Sequence, residues 1–160
     1  MRGAKALLFE RLVDDNPHTP GEAQPFRSYG VGALRASVQR ELMSLLNTRC
    51  PRPGGPLHGD GLDRTILDYG VPDLLPFGPA NPTDMGRLAQ ILERAIALYE
   101  PRLRQVRVEI QPAENSQSSA VGSISANLVV GSVNEPVSFP LVLSLKTGEV
   151  VVGDLTGEIA

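Results

Sequence analysis

The chain has 160 residues, with 15 Lys and Arg against 18 Asp and Glu, a net charge of −3, and one cysteine. This length suits one domain with a single core. The acidic balance argues against nucleic acid as a partner, because such a surface needs an excess of cations. Cys50 cannot form an internal disulfide, which fits a reducing cytoplasm and equally a buried thiol. No run approaches the ~20 apolar residues of a membrane span and no signal peptide is evident, so we expect a cytoplasmic chain without membrane insertion.

Helical periodicity marks the first hundred residues. It predicts a short helix over Leu7–Leu12, a mobile connector over 18–27, and a longer helix over about Gly30–Asn47 with a buried apolar stripe. The polar residues expected on the outside of that longer helix are Arg35, Gln39 and Arg40. A further short helix is predicted over about Leu62–Tyr69, with Gly70 as a left-handed cap.

The last predicted helix runs from about Asp84 to Tyr99, with Asn81 as its cap and Pro82 in its first turn. Beyond it the apolar period changes to two, which predicts four strands that follow one another as an antiparallel meander. The expected fold class is therefore α+β, with the helices packed on one face of the sheet. The chain divides into an N-terminal part over 1–27, a helical part over 28–100 and a sheet over 101–153.

Glu100 is placed where that helix ends, because Pro101 disfavours helical geometry at the residue before it. A carboxylate is unfavourable at a helix C-terminus, which carries partial negative charge. Strict alternation in the following strand groups Arg102 and Arg104 with Val106 on the core face. We therefore predict a partly buried ion pair or network joining Glu100 to Arg102 or Arg104, the alternative being solvated charges at a turn.

Pro140 falls inside the third predicted strand, next to Phe139. Proline cannot donate a ladder hydrogen bond, so its amide side is expected to face a sheet edge or a bulge. A free edge is a place where another chain's strand can add, and Phe139 and Pro140 are candidate partner-binding residues on that basis. A bulge covered by a local loop is the equally weighted alternative.

Enzymatic and metal chemistry find little support. His18 and His58 lie in separate loops without other ligands at suitable spacing, so no metal and no cofactor are expected. A glycosidase needs a carboxylic acid that keeps its proton, whereas arginines near Glu100 favour its ionised form. A peptidoglycan hydrolase with Glu100 as acid stays the alternative function, and its possible second carboxylates are Asp68, Asp73 and Glu109.

Four segments together resemble one family. They are Tyr99–Leu103 with its Glu-Pro-Arg sequence, Leu45–Arg49, Tyr69–Asp73 and Thr147–Gly148. Their order and spacing resemble those of the TssE family of type VI secretion baseplate subunits, which also includes a wedge protein of contractile phage tails. The resemblance covers about residues 5 to 152.

The resemblance implies a structural role without catalysis. It implies a wedge shared with TssF and TssG, and a sheet edge on which contractile sheath subunits, TssB and TssC, begin to assemble. It also implies that Asn47, Arg49, Tyr69 and Asp73 contribute contacts within the wedge. From the residues alone, Asn47 and Arg49 equally fit a helix terminus, with Asn47 near its cap and Arg49 opposing the helix dipole.

Overall fold

The computed structural model describes residues 4–5, 18, 28–51, 66–114, 116 and 118–153. The predicted helix over Leu7–Leu12 and most of the predicted connector lie outside these residues. Two short strands, β1 (Ala4–Lys5) and β2 (Ser28–Tyr29), pair antiparallel near the start of the chain. Over the rest of the residues that the structure describes, the elements are two long helices, a 3-10 turn and four further strands.

Helix α1 spans Val31–Asn47 and helix α2 spans Pro82–Tyr99, which confirms both predicted long helices. The Asn81 side chain accepts a hydrogen bond from the Thr83 N–H at 3.0 Å, and Pro82 occupies the first turn, as predicted. Between the helices, a 3-10 helix covers Ile66–Asp68. The described end of the predicted 62–69 helix is therefore a single tight turn.

Four strands form one antiparallel sheet in the order β3-β4-β5-β6. Their bounds are Leu103–Pro112, Ser119–Val130, Val133–Ser144 and Val150–Val152. The α+β meander predicted from the sequence is confirmed. Alternate residues of β4, β5 and β6 point to the helices. The core between the helices and the sheet holds a continuous set of buried aliphatic side chains around Phe139.

The alternation predicted at the start of β3 is wrong. A β-bulge shifts the register between Arg104 and Arg107, and Gln105 has a positive φ of 53°. Because the bulge inserts one residue, Leu103 is buried together with Val106, and Arg104 is exposed. Arg104 therefore does not share the core face with Val106.

Candidate functional site at the helix-strand elbow

Glu100 caps the C-terminus of α2, and only 4% of its surface is exposed. Its Oε1 accepts hydrogen bonds from the Arg102 backbone N–H at 3.2 Å and from Arg102 Nε at 2.7 Å. Its Oε2 accepts from Arg102 Nη2 at 2.6 Å. This fork-to-fork geometry is the strongest form of a carboxylate–guanidinium pair. The arginine thus balances a carboxylate that the helix dipole disfavours.

Arg102 also links the elbow to the first helix. Its Nη1 donates to the Ser37 hydroxyl at 2.8 Å, and Ser37 is buried on α1. The ion pair consequently joins the end of α2, the start of β3 and the middle of α1. Ser37 was not predicted as a site residue; the available signal is a hydroxyl inside the otherwise apolar stripe of an amphipathic helix.

Two tyrosines lie beside the elbow. Tyr99 donates its hydroxyl to the backbone carbonyl of Asp68 at 2.7 Å, and its ring meets that of Tyr69 edge to face at 5.1 Å. Burial, followed by the negative charges of Glu41 and Glu100, raises the pKa of Tyr69. The Tyr69 phenol therefore keeps its proton to a higher pH than an ordinary tyrosine does.

This pKa shift predicts a loss of stability in alkali. The unfolded chain ionises Tyr69 near pH 10, whereas the folded chain holds the proton to higher pH. The unfolded state then binds fewer protons, so stability falls as pH rises through that range. We expect a Tyr69→Phe variant to lose this component of the pH dependence, measured by thermal melts across alkaline pH. A variant that retains the full alkaline loss would contradict the assignment to Tyr69.

Arg49 connects two other segments that the sequence singled out. Cys50 N–H donates to the Val71 carbonyl at 2.8 Å, and Val71 N–H donates to the Thr48 carbonyl at 2.9 Å, forming a parallel bridge around Arg49. The Arg49 guanidinium donates through Nη1 to the Leu46 carbonyl at 3.0 Å and through Nη2 to the Gly148 carbonyl. The last turn of the sheet is thereby attached to the end of α1.

Two opposing effects act on the pKa of the Arg49 guanidinium. Partial burial lowers the pKa of its guanidinium, and the carboxylate of Asp73 opposes that shift. The Nη1 contact with Leu46 places the cation at the C-terminal carbonyls of α1, where it opposes the helix dipole. Asp73 is exposed, and its Oδ1 accepts from the Leu75 N–H at 3.1 Å.

The other predicted residues lie apart from this cluster or serve the fold. Asn47 forms two hydrogen bonds with the backbone of Val150. Gln39, predicted outside, is half-buried and donates to the Val152 carbonyl at 2.8 Å. Phe139 is directed into the core with 1% exposure, whereas Pro140 is half-buried on the opposite face of the sheet.

Three of the four segments that carry the family resemblance, 45–49, 69–73 and 147–148, thus form one connected region with the elbow. Arg49 bonds to the last turn, the 45–49 and 69–73 segments share a bridge, and Tyr69 packs on Tyr99 beside Glu100. The carboxylate of Glu100 is engaged through both oxygens, which leaves a poor geometry for proton donation to a substrate.

Within the described ranges, no group of three or more His, Cys, Asp or Glu side chains could hold a metal ion. Over those same residues, no helix is both long and apolar enough to cross a bilayer.

Comparison with known proteins identifies the family of this chain. The sequence model of the baseplate wedge protein gp25 family matches residues 19–131. Because this match covers more than half of the chain, the protein belongs to that family of structural baseplate components. None of the curated proteins compared with the chain matches it.

Among solved structures, a chain of "The baseplate complex from the type VI secretion system" is similar, with 22% identity and a TM-score of 0.47. The similarity covers 68% of this chain and 93% of that one.

Proposed function

We propose that this protein is a non-enzymatic structural subunit of a type VI secretion baseplate, acting in the cytoplasm as part of a wedge with TssF and TssG. The observation that carries the proposal is the match of residues 19–131 to the baseplate wedge family. The four segments that resemble TssE add to it, because three of them meet at Arg49 and the fourth contains the elbow.

The elbow supports a positional role. In this buried ion pair the charged atoms of Glu100 and Arg102 are bonded to each other. Such a pair stabilises the relative positions of structural elements, and it offers no charged group for catalysis on a substrate. Arg102 fixes α1 and α2 against β3 through Ser37 and Glu100. In the proposed role, this fixes the surfaces that the other wedge subunits contact, including Tyr69 and Asp73.

We further propose that a sheath strand adds along β5 over residues 133–139. Strand β6 pairs only with Leu141–Leu143, so the stretch 133–139 has no described strand on that side. The Pro140 carbonyl accepts from Gly153 N–H at 2.8 Å, which places the backbone of Pro140 on this side of β5. By strand alternation, the backbone of Pro136, Ser138 and Asn134 faces the same way.

The two prolines make this edge selective. Pro136 and Pro140 have no N–H, so Asn134 and Ser138 are the residues of this stretch that can donate outward. An incoming strand must therefore match a sparse pattern of donors, while general strand pairing is discouraged. This fits a partner that binds in one register.

Co-expression tests the proposed role. We expect tagged protein to co-purify with TssF and TssG from the same genome as one complex that elutes ahead of the 17.1 kDa subunit on a sizing column. A folded subunit that elutes alone in the presence of both partners would contradict the proposal, and clearing of cell-wall material by the purified chain would instead support the hydrolase.

A further inference from the structure

The outer side of strand β6 is the far edge of the sheet. Ser144 N–H donates to the Glu149 carbonyl at 2.8 Å, and Gly153 N–H donates to the Pro140 carbonyl at 2.8 Å. Because backbone direction alternates along a strand, Val150 and Val152 direct their N–H and C=O groups away from β5. In an ordinary edge strand these groups form a template for another strand.

Here the template is occupied by side chains of α1. Asn47 Oδ1 accepts from Val150 N–H at 2.9 Å, and Asn47 Nδ2 donates to the Val150 carbonyl at 2.7 Å. These are the two hydrogen bonds that a residue of a neighbouring antiparallel strand makes. Gln39 Nε2 donates to the Val152 carbonyl at 2.8 Å. Three of the four outward backbone groups of Val150 and Val152 are thus engaged.

If the edge of β6 becomes accessible, the sequence of this strand favours self-association. Three consecutive valines combine high strand propensity with no charge, which favours pairing with another copy of the same segment. Two copies that meet antiparallel along β6 present the same edge to each other, as a two-fold interface requires.

We infer that Asn47 and Gln39 substitute for a fifth strand and close the β6 edge against pairing with a second copy of this chain. The closure is a property of the isolated subunit and does not depend on the proposed baseplate role. It also directs strand addition away from β6 and toward the other edges of the sheet, because a partner strand at β6 must first displace both amides.

Removal of the amides is expected to open the edge without unfolding the sheet. Val150 and Val152 are only 1% and 2% exposed, so their side chains anchor β6 in the core independently of these bonds. The test is sedimentation of a Gln39→Ala/Asn47→Ala variant over a wide concentration range. We expect self-association at least tenfold tighter than that of the wild type. The control is Gln90→Ala, which removes an exposed amide from α2 and is expected to sediment as the wild type does.

A third substitution separates edge pairing from general unfolding. Val151 is half-buried, and its side chain lies on the face of the sheet away from the helices. Val151→Lys in the double variant brings like charges together where two β6 strands would pair, and it does not restore the amides. We expect it to return the double variant to the monomer. A double variant that stays monomeric with a near-native melt would overturn the inference, and so would self-association that persists after Val151→Lys.

Discussion

Replacement of Glu100 by alanine is expected to lower the free energy of unfolding by about 3–5 kcal/mol, because it removes the carboxylate that balances the charge of the buried Arg102 guanidinium. The side chains of Glu100 and Arg102 are 5% and 11% exposed. Against a total stability of about 5–15 kcal/mol, this is a large fraction. Thermal and denaturant melts of the purified variant measure the loss. A melt equal to that of the wild type would show that the pair contributes little to stability.

A charge-free replacement of the pair provides the control. Buried ion pairs replaced by apolar residues of similar volume often leave stability unchanged or improve it. We therefore expect Glu100→Leu/Arg102→Met to recover much of the loss caused by Glu100→Ala. This double variant also separates folding from function, since a folded subunit without the pair reports whether wedge assembly needs the charges themselves. Loss of assembly in Glu100→Ala alone would not distinguish the two causes.

The long helices follow from local chemistry, which explains why the sequence predicts them well. The apolar stripe of α2 and the cap formed by Asn81 and Pro82 depend only on neighbours within a few turns. The end of α2 at Glu100 follows equally from Pro101. The meander follows from period-two alternation, and its tight turn at Gly148, with φ +75°, uses the residue that turn chemistry favours.

The bulge in β3 could not be predicted in this way. Gln105 adopts φ 53°, although the sequence offers no glycine there. The bulge allows both Leu103 and Val106 to reach the core, and this gain depends on helix packing against the strand. Period alone therefore placed Arg104 on the wrong face.

The site was predicted only where its contacts are local. Glu100 and Arg102 are two residues apart, and the sign of the helix dipole indicates their pairing. Ser37 reaches Arg102 across 65 positions, and Asn47 reaches Val150 across 103. Such partners depend on how the helices lie on the sheet, which residue patterns along one element do not specify.

Gly70→Ala is expected to be the most damaging glycine-to-alanine change in the 45–49 and 69–73 segments. Gly70 has φ +109°, a conformation that costs an L-residue roughly 1–3 kcal/mol. A Cβ there would also lie 2.4 Å from the Thr48 carbonyl oxygen, which accepts the Val71 N–H in the bridge. The backbone must therefore shift at the place where the 45–49 and 69–73 segments join. Thermal melts measure the loss of stability, which we expect to exceed the conformational cost alone.

Gly86→Ala is the matched control for that change. Gly86 lies on the exposed side of α2, and a Cβ there meets nothing within 4 Å. Alanine at an exposed helical position is expected to stabilise the chain by about 0.5–1 kcal/mol. Opposite signs for the same chemical change would locate the requirement for glycine at the bridge. If Gly70→Ala melts as the wild type does, the bridge tolerates the added methyl group, and the rigid joining of these two segments is disproved.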